Sequence, residues 1–594
     1  MFIFYLDAVI NKFHKNILNR IFTPMNATKK TNRKYLPANF DIKTWNDLES
    51  IYTELLDRKI SSSTELEKWM LDVNELEAAV SENFAWRYIK QSCDTENEEL
   101  NKSYEFFVTE IDPKIAPLAD KLNKKLIASP FINELDQKKY FTYLRSVKNS
   151  IELFREENVD LQSQIATKSQ QYASITGKQT IHYDGKELTL QQAALYLKNT
   201  NRKIREEVYT LIQVRKKQDE NALNKLFEEL FALRNQVALN AGFKNFRDYK
   251  FKELGRFDYN INDCKSFHAS IKKYFVPLSK AIDEQRKKEL GVNSYRPWDS
   301  EVDTGNNKPL HPFETADELL KKSIECFNVT DKYFGECLTT MQEMKHLDLA
   351  SRKGKAPGGY NYPLYESGVP FIFMNAVGLQ RDVVTMVHEG GHAVHAFLTK
   401  DYKINEFKSV PSEVAELASM SMELISMKRW DVFYKDAQAL NRAKKEQLEK
   451  IIKTLCWIAC VDAYQQKLYE NPKQSTEERY KLWVETYNEY ESGVLDYTGL
   501  EDNVKRMWHA QLHIFEVPFY YIEYGFAQLG ALAVWKNFMQ NAPQAIQQYK
   551  DALSLGYTVS IPDVYKAAGI KFDFSDSYIS SVADFVWKEL DGLK

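Results

Sequence analysis

The chain has 594 residues, of which 44% are hydrophobic and 13% aromatic, with 80 basic and 83 acidic side chains. This length exceeds the size at which a single hydrophobic core stops growing, so we expect more than one large subdomain in a globular protein. The near balance of charge argues against nucleic acid as a partner. A membrane partner is not expected either, because no apolar run approaches the roughly 18 to 20 residues that span a bilayer.

The six cysteines are too sparse to cross-link a small secreted fold, and none forms a CxxC pair. Cys456 and Cys460 share a helical face and could contribute to a metal site. The favoured interpretation is that all six are buried free thiols in a reducing compartment.

The first 24 residues are predicted to lie outside the folded domains. The opening MFIFYLDAVI is apolar but short and has no basic segment before it, so it is not interpreted as a signal peptide. Residues 12–34 hold seven Lys or Arg and no acid, which favours a disordered basic tail at 1–24 over an organellar presequence. Met25 is an alternative natural start to Met1.

Apolar residues recur at three- and four-residue spacing from about residue 46 to residue 175, as amphipathic helices require. At TIHYDGKELTL the period changes to alternation around Asp184-Gly185, which predicts a β-hairpin. Long helical patterns follow and end at a glycine cap, Gly242. We therefore place an N-terminal helical domain at 25–190 and a second domain at 191–594.

Residues 292–312 are rich in Pro, Gly and Asn and are predicted to form a long ordered loop. After further helices, GKAPGGYNYPLYESGVPFIFMNAVG combines a glycine-rich turn with a short strand-like run, FIFMN. The sequence therefore predicts a mainly α fold with one small β-sheet in the second domain.

A metal-binding pattern follows that strand at once, in VVTMVHEGGHAVHAFL. On a helix, His388 and His392 lie one turn apart on the same face, where both imidazoles can bind one ion. Zinc favours such nitrogen ligands, and a catalytic zinc keeps a position for water. Glu389 lies beside them as a candidate general base. Gly390 and Gly391 would let another backbone or a substrate approach closely.

A third ligand is needed, and His395 is disfavoured because it lies roughly 10 Å along the helix from His388. The segment VPSEVAELASMSMELISMKRW predicts a second helix on which Glu416 and Glu423 share one apolar stripe, where unpaired charges would be costly. Glu416 is predicted as the ligand and Glu423 as an acceptor for a histidine N–H. Ser412 is expected to be the N-cap, and Glu413 is expected to interact with the first turn.

These motifs resemble those of the thimet oligopeptidase and oligoendopeptidase F superfamily, and most closely its oligoendopeptidase F branch. The resemblance rests on HEGGHAVH, VAELASMSMEL, GKAPGGY, FIFMN and HIFEVPFYYIEYGFAQ, and it covers roughly residues 190 to 590. It implies an elongated gluzincin-type fold with a deep substrate channel, one zinc ion, and turnover of short unfolded peptides in the cytoplasm. Residues 191–594 would then form the catalytic domain.

The same resemblance implies roles for further residues. His513 and one or both of Tyr520 and Tyr524 would face the zinc and stabilise the oxyanion, for which positioned N–H or O–H donors are needed. A buried aromatic core is the alternative for the tyrosines, and a core histidine for His513. The FIFMN strand would pair with extended substrate and GKAPGGY would form a flap or an inert turn. The substrate-binding candidates are Gly358, Gly359, Tyr360, Phe373 and Asn375.

The predicted function is zinc-dependent cleavage of internal peptide bonds, with Glu389 taking a proton from activated water and passing it to the leaving amine. One alternative is a dipeptidyl carboxypeptidase, which needs a cationic group for the terminal carboxylate that the sequence does not identify. Another is an inactive peptide-binding scaffold, against which the intact set of metal ligands argues. The sequence does not indicate the oligomeric state.

Overall fold

A computed structural model describes residues 33–305 and 307–593. The predicted basic tail at 1–24 and the alternative start at Met25 lie outside the described residues. None of the helices within the described part of the chain combines the length and apolarity needed to cross a bilayer.

The first part of the chain is helical, as its amphipathic pattern predicts. Ser62 caps the longest of these helices by accepting a hydrogen bond from the backbone N–H of Glu65. A π-helical turn, Phe107–Ile111, separates the third helix from the fourth. The helices are α1 Asn46–Asp57, α2 Ser63–Cys93, α3 Glu98–Phe106, α4 Asp112–Ile127, α5 Phe141–Leu153 and α6 Glu157–Thr176.

The predicted hairpin is confirmed. Strand β1 (Thr180–Tyr183) pairs antiparallel with β2 (Lys186–Thr189), and Tyr183 lies opposite Lys186. Asp184 and Gly185 both have positive φ, 52° and 70°, which is the geometry that a two-residue type I′ turn requires.

Helices resume after the hairpin and lead to the small sheet. Gly242 has a φ of 84° after the third of these helices, as its predicted capping role requires. The long loop at 292–312 contains only the short 3₁₀ turn Pro297–Asp299 among its described residues. The helices are α7 Leu190–Tyr196, α8 Arg202–Gln218, α9 Glu220–Asn240, α10 Phe246–Glu253, α11 Ile261–Glu289, α12 Ala316–Thr330 and α13 Lys332–Glu343.

The predicted sheet has three strands in the order β3-β5-β4. Strand β5 (Phe371–Ala376), which contains FIFMN, is central. It pairs in parallel with β3 (Leu347–Ala350) and antiparallel with β4 (Tyr360–Tyr362). Strand β4 therefore has the free edge on its side of the sheet, and both β4 and β5 contact the next helix.

The remainder of the chain is again helical, and this part carries the predicted metal ligands. Short 3₁₀ turns lie at Asn405–Phe407, Met427–Val432 and Met507–Ala510. The helices are α14 Gln380–Thr399, α15 Ser412–Ser426, α16 Ala437–Glu470, α17 Thr476–Tyr490, α18 Glu501–Lys505, α19 Leu512–Glu516, α20 Tyr521–Gln540, α21 Ala542–Ser554, α22 Ile561–Ala567 and α23 Asp576–Asp591.

Two large hydrophobic cores organise these elements. One is built from residues 36–147 together with Ile404 and Phe407, and the other extends from Leu153 to Leu590. Helix α6 packs against α9 and so belongs to the second core. The domain boundary near residue 190 stays a prediction, and the packing of α6 favours one nearer residue 154.

Candidate active site

Helix α14 presents the two histidines of the HExxH motif. Its start is fixed by Asp382, whose carboxylate accepts hydrogen bonds from the backbone N–H groups of Val377 at 2.8 Å and Leu379 at 2.9 Å. Buried valines hold the opposite face of the helix in the core. The rings of His388 and His392 then lie 5.0 Å apart, centroid to centroid, and each side chain is 19% exposed.

Glycine in the middle of the motif lets helix α15 approach α14 closely. A Cβ atom on Gly391 would lie 2.7 Å from Ser419 Cα and 2.8 Å from the carbonyl oxygen of Ala418. A Cβ on Gly390 would lie 2.6 Å from the ring of Phe327. The sequence-based expectation of a close backbone approach is therefore met by α15, and this approach brings Glu416 to the histidines.

His388, His392 and Glu416 form a cluster that could hold a metal ion, with ligand atoms all within 4.8 Å of one another. The two Nε2 atoms lie 3.3 Å and 3.6 Å from the same oxygen, Glu416 Oε2. Two imidazole nitrogens and one carboxylate oxygen form a donor set that suits a catalytic zinc ion. The arrangement therefore fits the metal that the sequence predicts.

Both histidines have further hydrogen-bonding partners. Nδ1 of His388 lies 2.7 Å from Glu423 Oε1, and the second oxygen of Glu423 accepts from the side-chain amide of Gln447 at 2.6 Å. His392 hydrogen-bonds the backbone of Ala415. Such partners orient a ligating imidazole, and Glu423 lies within hydrogen-bonding distance of His388.

The electrostatics of the cluster follow from two carboxylates facing one imidazole. Burial lowers the pKa of His388, but its hydrogen bonds to Glu416 and Glu423 outweigh burial and raise it well above the usual value. Burial by itself raises the pKa of Glu416, but the nearby histidines outweigh burial and lower this pKa to about 2. Burial lowers the pKa of His392 to about 4. Glu416 is therefore ionised and His392 is neutral, as ligands must be.

Glu389, the predicted base, is buried beside the cluster. Burial raises its pKa to about 7, although the positive charge of His388 opposes this shift. The side-chain amide of Asn361 in β4 donates to the backbone oxygen of Glu389 at 3.3 Å. A carboxyl group that titrates near neutrality can both accept and return a proton.

The aromatic segment after residue 512 contacts the cluster through Glu416. The Tyr520 hydroxyl donates to Glu416 Oε1 at 3.2 Å. The ring of Tyr524 lies 5.3 Å from that of Tyr520 and 5.8 Å from that of His513. Burial lowers the pKa of His513 to about 4, so this imidazole is neutral. The structure thus brings together His513, Tyr520 and Tyr524 on the side of the cluster formed by Glu416.

The substrate-binding candidates on the sheet need correction. Strand β5 is paired on both sides, so it cannot pair with a substrate strand as expected. Phe373 is fully buried and cannot contact a peptide. Asn375 donates to the backbone oxygens of Ala356 and Gly358, so its amide stabilises the glycine-rich turn. FIFMN reads as one apolar strand, and only the pairing order shows that it is internal.

The free edge instead belongs to β4 and the turn before it. Gly358 has a φ of 98° and is exposed, as is Gly359. The Tyr360 ring stacks on Phe373 at 4.8 Å, and its hydroxyl lies 2.6 Å from Ser92 Oγ of α2. Gly358, Gly359 and Tyr360 remain candidates for substrate contact.

The turn that precedes β4 is anchored to helix α2. The backbone oxygen of Gly354 accepts from the backbone N–H of Thr95 at 2.6 Å, and the N–H of Ala356 donates to the oxygen of Ser92 at 2.8 Å. Of the two interpretations of GKAPGGY, a flap or an inert turn, these bonds favour a turn held against the N-terminal helices.

One expectation for the start of α15 is wrong. Pro411 occupies the N-cap position and Ser412 is the first helical residue, without a capping hydrogen bond. Glu413 lies in the first turn, where its buried carboxylate hydrogen-bonds its own backbone, and it also accepts from the Tyr259 hydroxyl near Arg256. Proline at position 411 fixes φ before the helix, but it has no side-chain oxygen with which to accept from the first N–H groups.

Several polar residues of the site were missed by sequence reasoning. Gln447, Asn361 and Gln511 belong to no recognisable motif. Their hydrogen-bonding partners in the site lie 24, 28 and 2 positions away, respectively. Ser419, which donates to Glu416 Oε2 at 2.9 Å, could have been found from its spacing, since it follows Glu416 by one helical turn. His395 is buried, is outside the cluster, and hydrogen-bonds the backbone of Leu553.

A helical fold that joins a His-x₃-His pair to a buried carboxylate on the next helix defines a metallopeptidase-type centre. The sequence profile of Peptidase family M3 matches residues 195–584, and that of the Peptidase M3 N-terminal domain matches residues 37–154. The chain belongs to peptidase family M3. The resemblance to its oligoendopeptidase F branch is confirmed by the relatives below.

An oligoendopeptidase F homolog of Borreliella burgdorferi is 24% identical over 375 residues, which are 62% of each chain. The match thus spans less than two thirds of that relative. Among solved structures, PZ peptidase A is 24% identical with a TM-score of 0.88, covering 95% of this chain and 99% of that one. A structure assigned as an oligoendopeptidase F is 26% identical with a TM-score of 0.87 and the same coverage. The predicted mainly helical fold is confirmed.

Proposed function

We propose that this protein is a zinc-dependent oligoendopeptidase that hydrolyses internal bonds of short peptides. The observation that carries the proposal is the cluster of His388, His392 and Glu416 with buried Glu389 beside it. These residues would hold one zinc ion through two Nε2 atoms and a carboxylate oxygen. The family names of the relatives support a peptidase.

The chemistry follows from where each side chain lies. When bound, zinc supplies Lewis-acid activation of water and of the peptide carbonyl. Glu389 accepts a proton from the attacking water and then returns it to the leaving amine. His513 and the Tyr520 or Tyr524 hydroxyl donate to the oxygen that becomes negative in the transition state. Glu423 and Gln447 hold the His388 ring in place.

We assign substrate binding to the free edge of β4. An extended peptide that pairs with Tyr360–Tyr362 by backbone hydrogen bonds would bind with little dependence on its side chains. The cations beside this sheet, Arg352 and Lys355, are both paired with Asp348. A terminal carboxylate would have to compete with that pairing, which favours internal cleavage over removal of dipeptides.

We also propose a cytoplasmic location. All six cysteines, Cys93, Cys264, Cys326, Cys337, Cys456 and Cys460, are free and buried, which suits a reducing compartment.

The test uses a short fluorogenic peptide with a blocked N-terminus and an amidated C-terminus. Purified protein should contain about one zinc per chain, lose cleavage after chelation and regain it when zinc is returned. Mass spectrometry should locate cuts within the peptide. Zinc-loaded protein that cleaves no peptide would support the scaffold instead, and cleavage only of peptides with a free C-terminus would support the carboxypeptidase.

A further inference from the structure

Gln511 lies between two aromatic side chains near the proposed active site. Its Oε1 accepts a hydrogen bond from Trp457 Nε1 at 2.8 Å, and its Nε2 lies 2.6 Å from Nδ1 of His513. Gln511 is 9% exposed. The three side chains come from α16, the residue before α19, and α19 itself.

The direction of each hydrogen bond is fixed by chemistry. An indole N–H can only donate, so the amide atom facing Trp457 must be the oxygen. The amide nitrogen of Gln511 then faces His513, and it can only donate. Nδ1 of His513 must therefore accept, which places the proton of this neutral ring on Nε2.

We propose that Gln511, oriented by Trp457, is a positioning residue that fixes the His513 tautomer with its proton on Nε2, so that this N–H can donate to the substrate oxyanion. The inference rests on the proposed function of His513. Among residues 33–305 and 307–593 no hydrogen-bonding partner of Nε2 is found, so this N–H is available to a substrate. The opposite tautomer would present a lone pair to a developing negative charge and repel it.

The His513 ring must also be neutral, because only a neutral imidazole can accept at Nδ1 while it donates through Nε2. A ring with Nδ1 locked as an acceptor donates through Nε2 without first taking up a proton from solvent. Burial keeps His513 neutral by lowering its pKa to about 4, so across neutral pH its role depends on the tautomer. Trp457 and Gln511 thus decide which ring nitrogen of His513 carries the proton.

Two substitutions separate positioning from packing. Gln511→Leu removes the donor at similar size, and it should lower kcat by about tenfold or more while KM changes by less than about twofold. Gln511→Glu keeps the acceptor for Trp457 but can only accept from His513, so it should move the proton to Nδ1 and change the pH profile of kcat. Asn224→Leu is the matched control, since Asn224 Oδ1 lies 2.9 Å from the ring of His509 and should leave kcat unchanged.

The decisive comparison is made in the His513→Ala background. There Gln511→Leu should cause no further loss of kcat, because its effect passes through the missing ring. An equal loss with and without His513 would overturn the inference. If His513→Ala itself leaves kcat unchanged, the role of His513 in the proposed function fails.

The tautomer can be read independently of activity. In protein labelled with ¹⁵N-histidine, the resonances lost in His513→Ala identify the ring. Wild type should show an unprotonated Nδ1 and a protonated Nε2, and Gln511→Glu should show a protonated Nδ1. A protonated Nδ1 in neutral wild-type His513 would overturn the inference even if peptidase activity is found.

Discussion

Glu423 Oε1 lies 2.7 Å from Nδ1 of His388, and this contact connects α15 to the ring that would bind the metal. The two residues are 35 positions apart, and Glu423 in turn accepts from Gln447 in α16. A carboxylate at this position raises the basicity of the ligating nitrogen and fixes the ring orientation.

Changing Glu423 to Ala should therefore weaken zinc binding by about 10- to 100-fold while the helices remain folded. Competition with a chromophoric chelator would measure the affinity. Glu82 supplies a control, since its carboxylate accepts from the backbone of Ser367 away from the cluster, and Glu82→Ala should retain zinc. Equal affinity of wild type and Glu423→Ala would show that the contact does not support the metal.

Changing Glu389 to Gln keeps the shape of the side chain but removes its capacity to accept a proton. We expect bound zinc to stay near the wild-type level and kcat to fall by about 10² to 10⁴-fold. Metal analysis and a fluorogenic peptide assay on the same preparation would measure both. Substantial turnover by this variant would assign the base to another group.

Metal binding should be pH-dependent because His388 holds a proton between two carboxylates in the apoprotein. Burial alone lowers the pKa of His388, but the hydrogen bonds to Glu416 and Glu423 raise it well above the usual value. Zinc must displace this proton, so affinity should rise as pH increases through neutrality and fall as pH decreases. Calorimetry in buffers of different ionisation enthalpy should detect the released proton. A binding enthalpy that does not vary with buffer would contradict this.

Changing Gly391 to Ala should push α14 away from α15. The added Cβ would lie 2.7 Å from Ser419 Cα, and backbone cannot move aside as a flexible side chain can. Overpacking of about 1–3 kcal/mol should exceed the ~1 kcal/mol that alanine gains in helix propensity. The free energy of unfolding, measured by chemical denaturation, should fall, and so should the zinc content. Gly592→Ala, with ordinary φ and its nearest atom at 3.5 Å, should be tolerated.

Replacing each candidate tyrosine with Phe should show which hydroxyl stabilises the oxyanion. Loss of that hydroxyl should lower kcat by about 10² to 10³-fold with little change in KM. Tyr520 is the stronger candidate because its hydroxyl already lies 3.2 Å from Glu416. Tyr402→Phe, which removes a bond to the backbone of Ser554, is the control. Wild-type kcat in both Tyr520→Phe and Tyr524→Phe would leave the role to His513 alone.

The sequence by itself determined the features that depend on local spacing. The i, i+4 separation places His388 and His392 on one helical face, the Asp184-Gly185 pair specifies the hairpin turn, and Glu416 and Glu423 share one stripe of α15. Each follows from the period of a helix or strand, which a few neighbouring residues fix.

Only the tertiary structure decided the contacts between distant segments. The central position of β5, the Glu423–Gln447 contact and the Tyr520–Glu416 contact depend on which elements pack together. The last joins residues 104 positions apart. Such contacts arise from burial and shape across the whole core, and no local period encodes them.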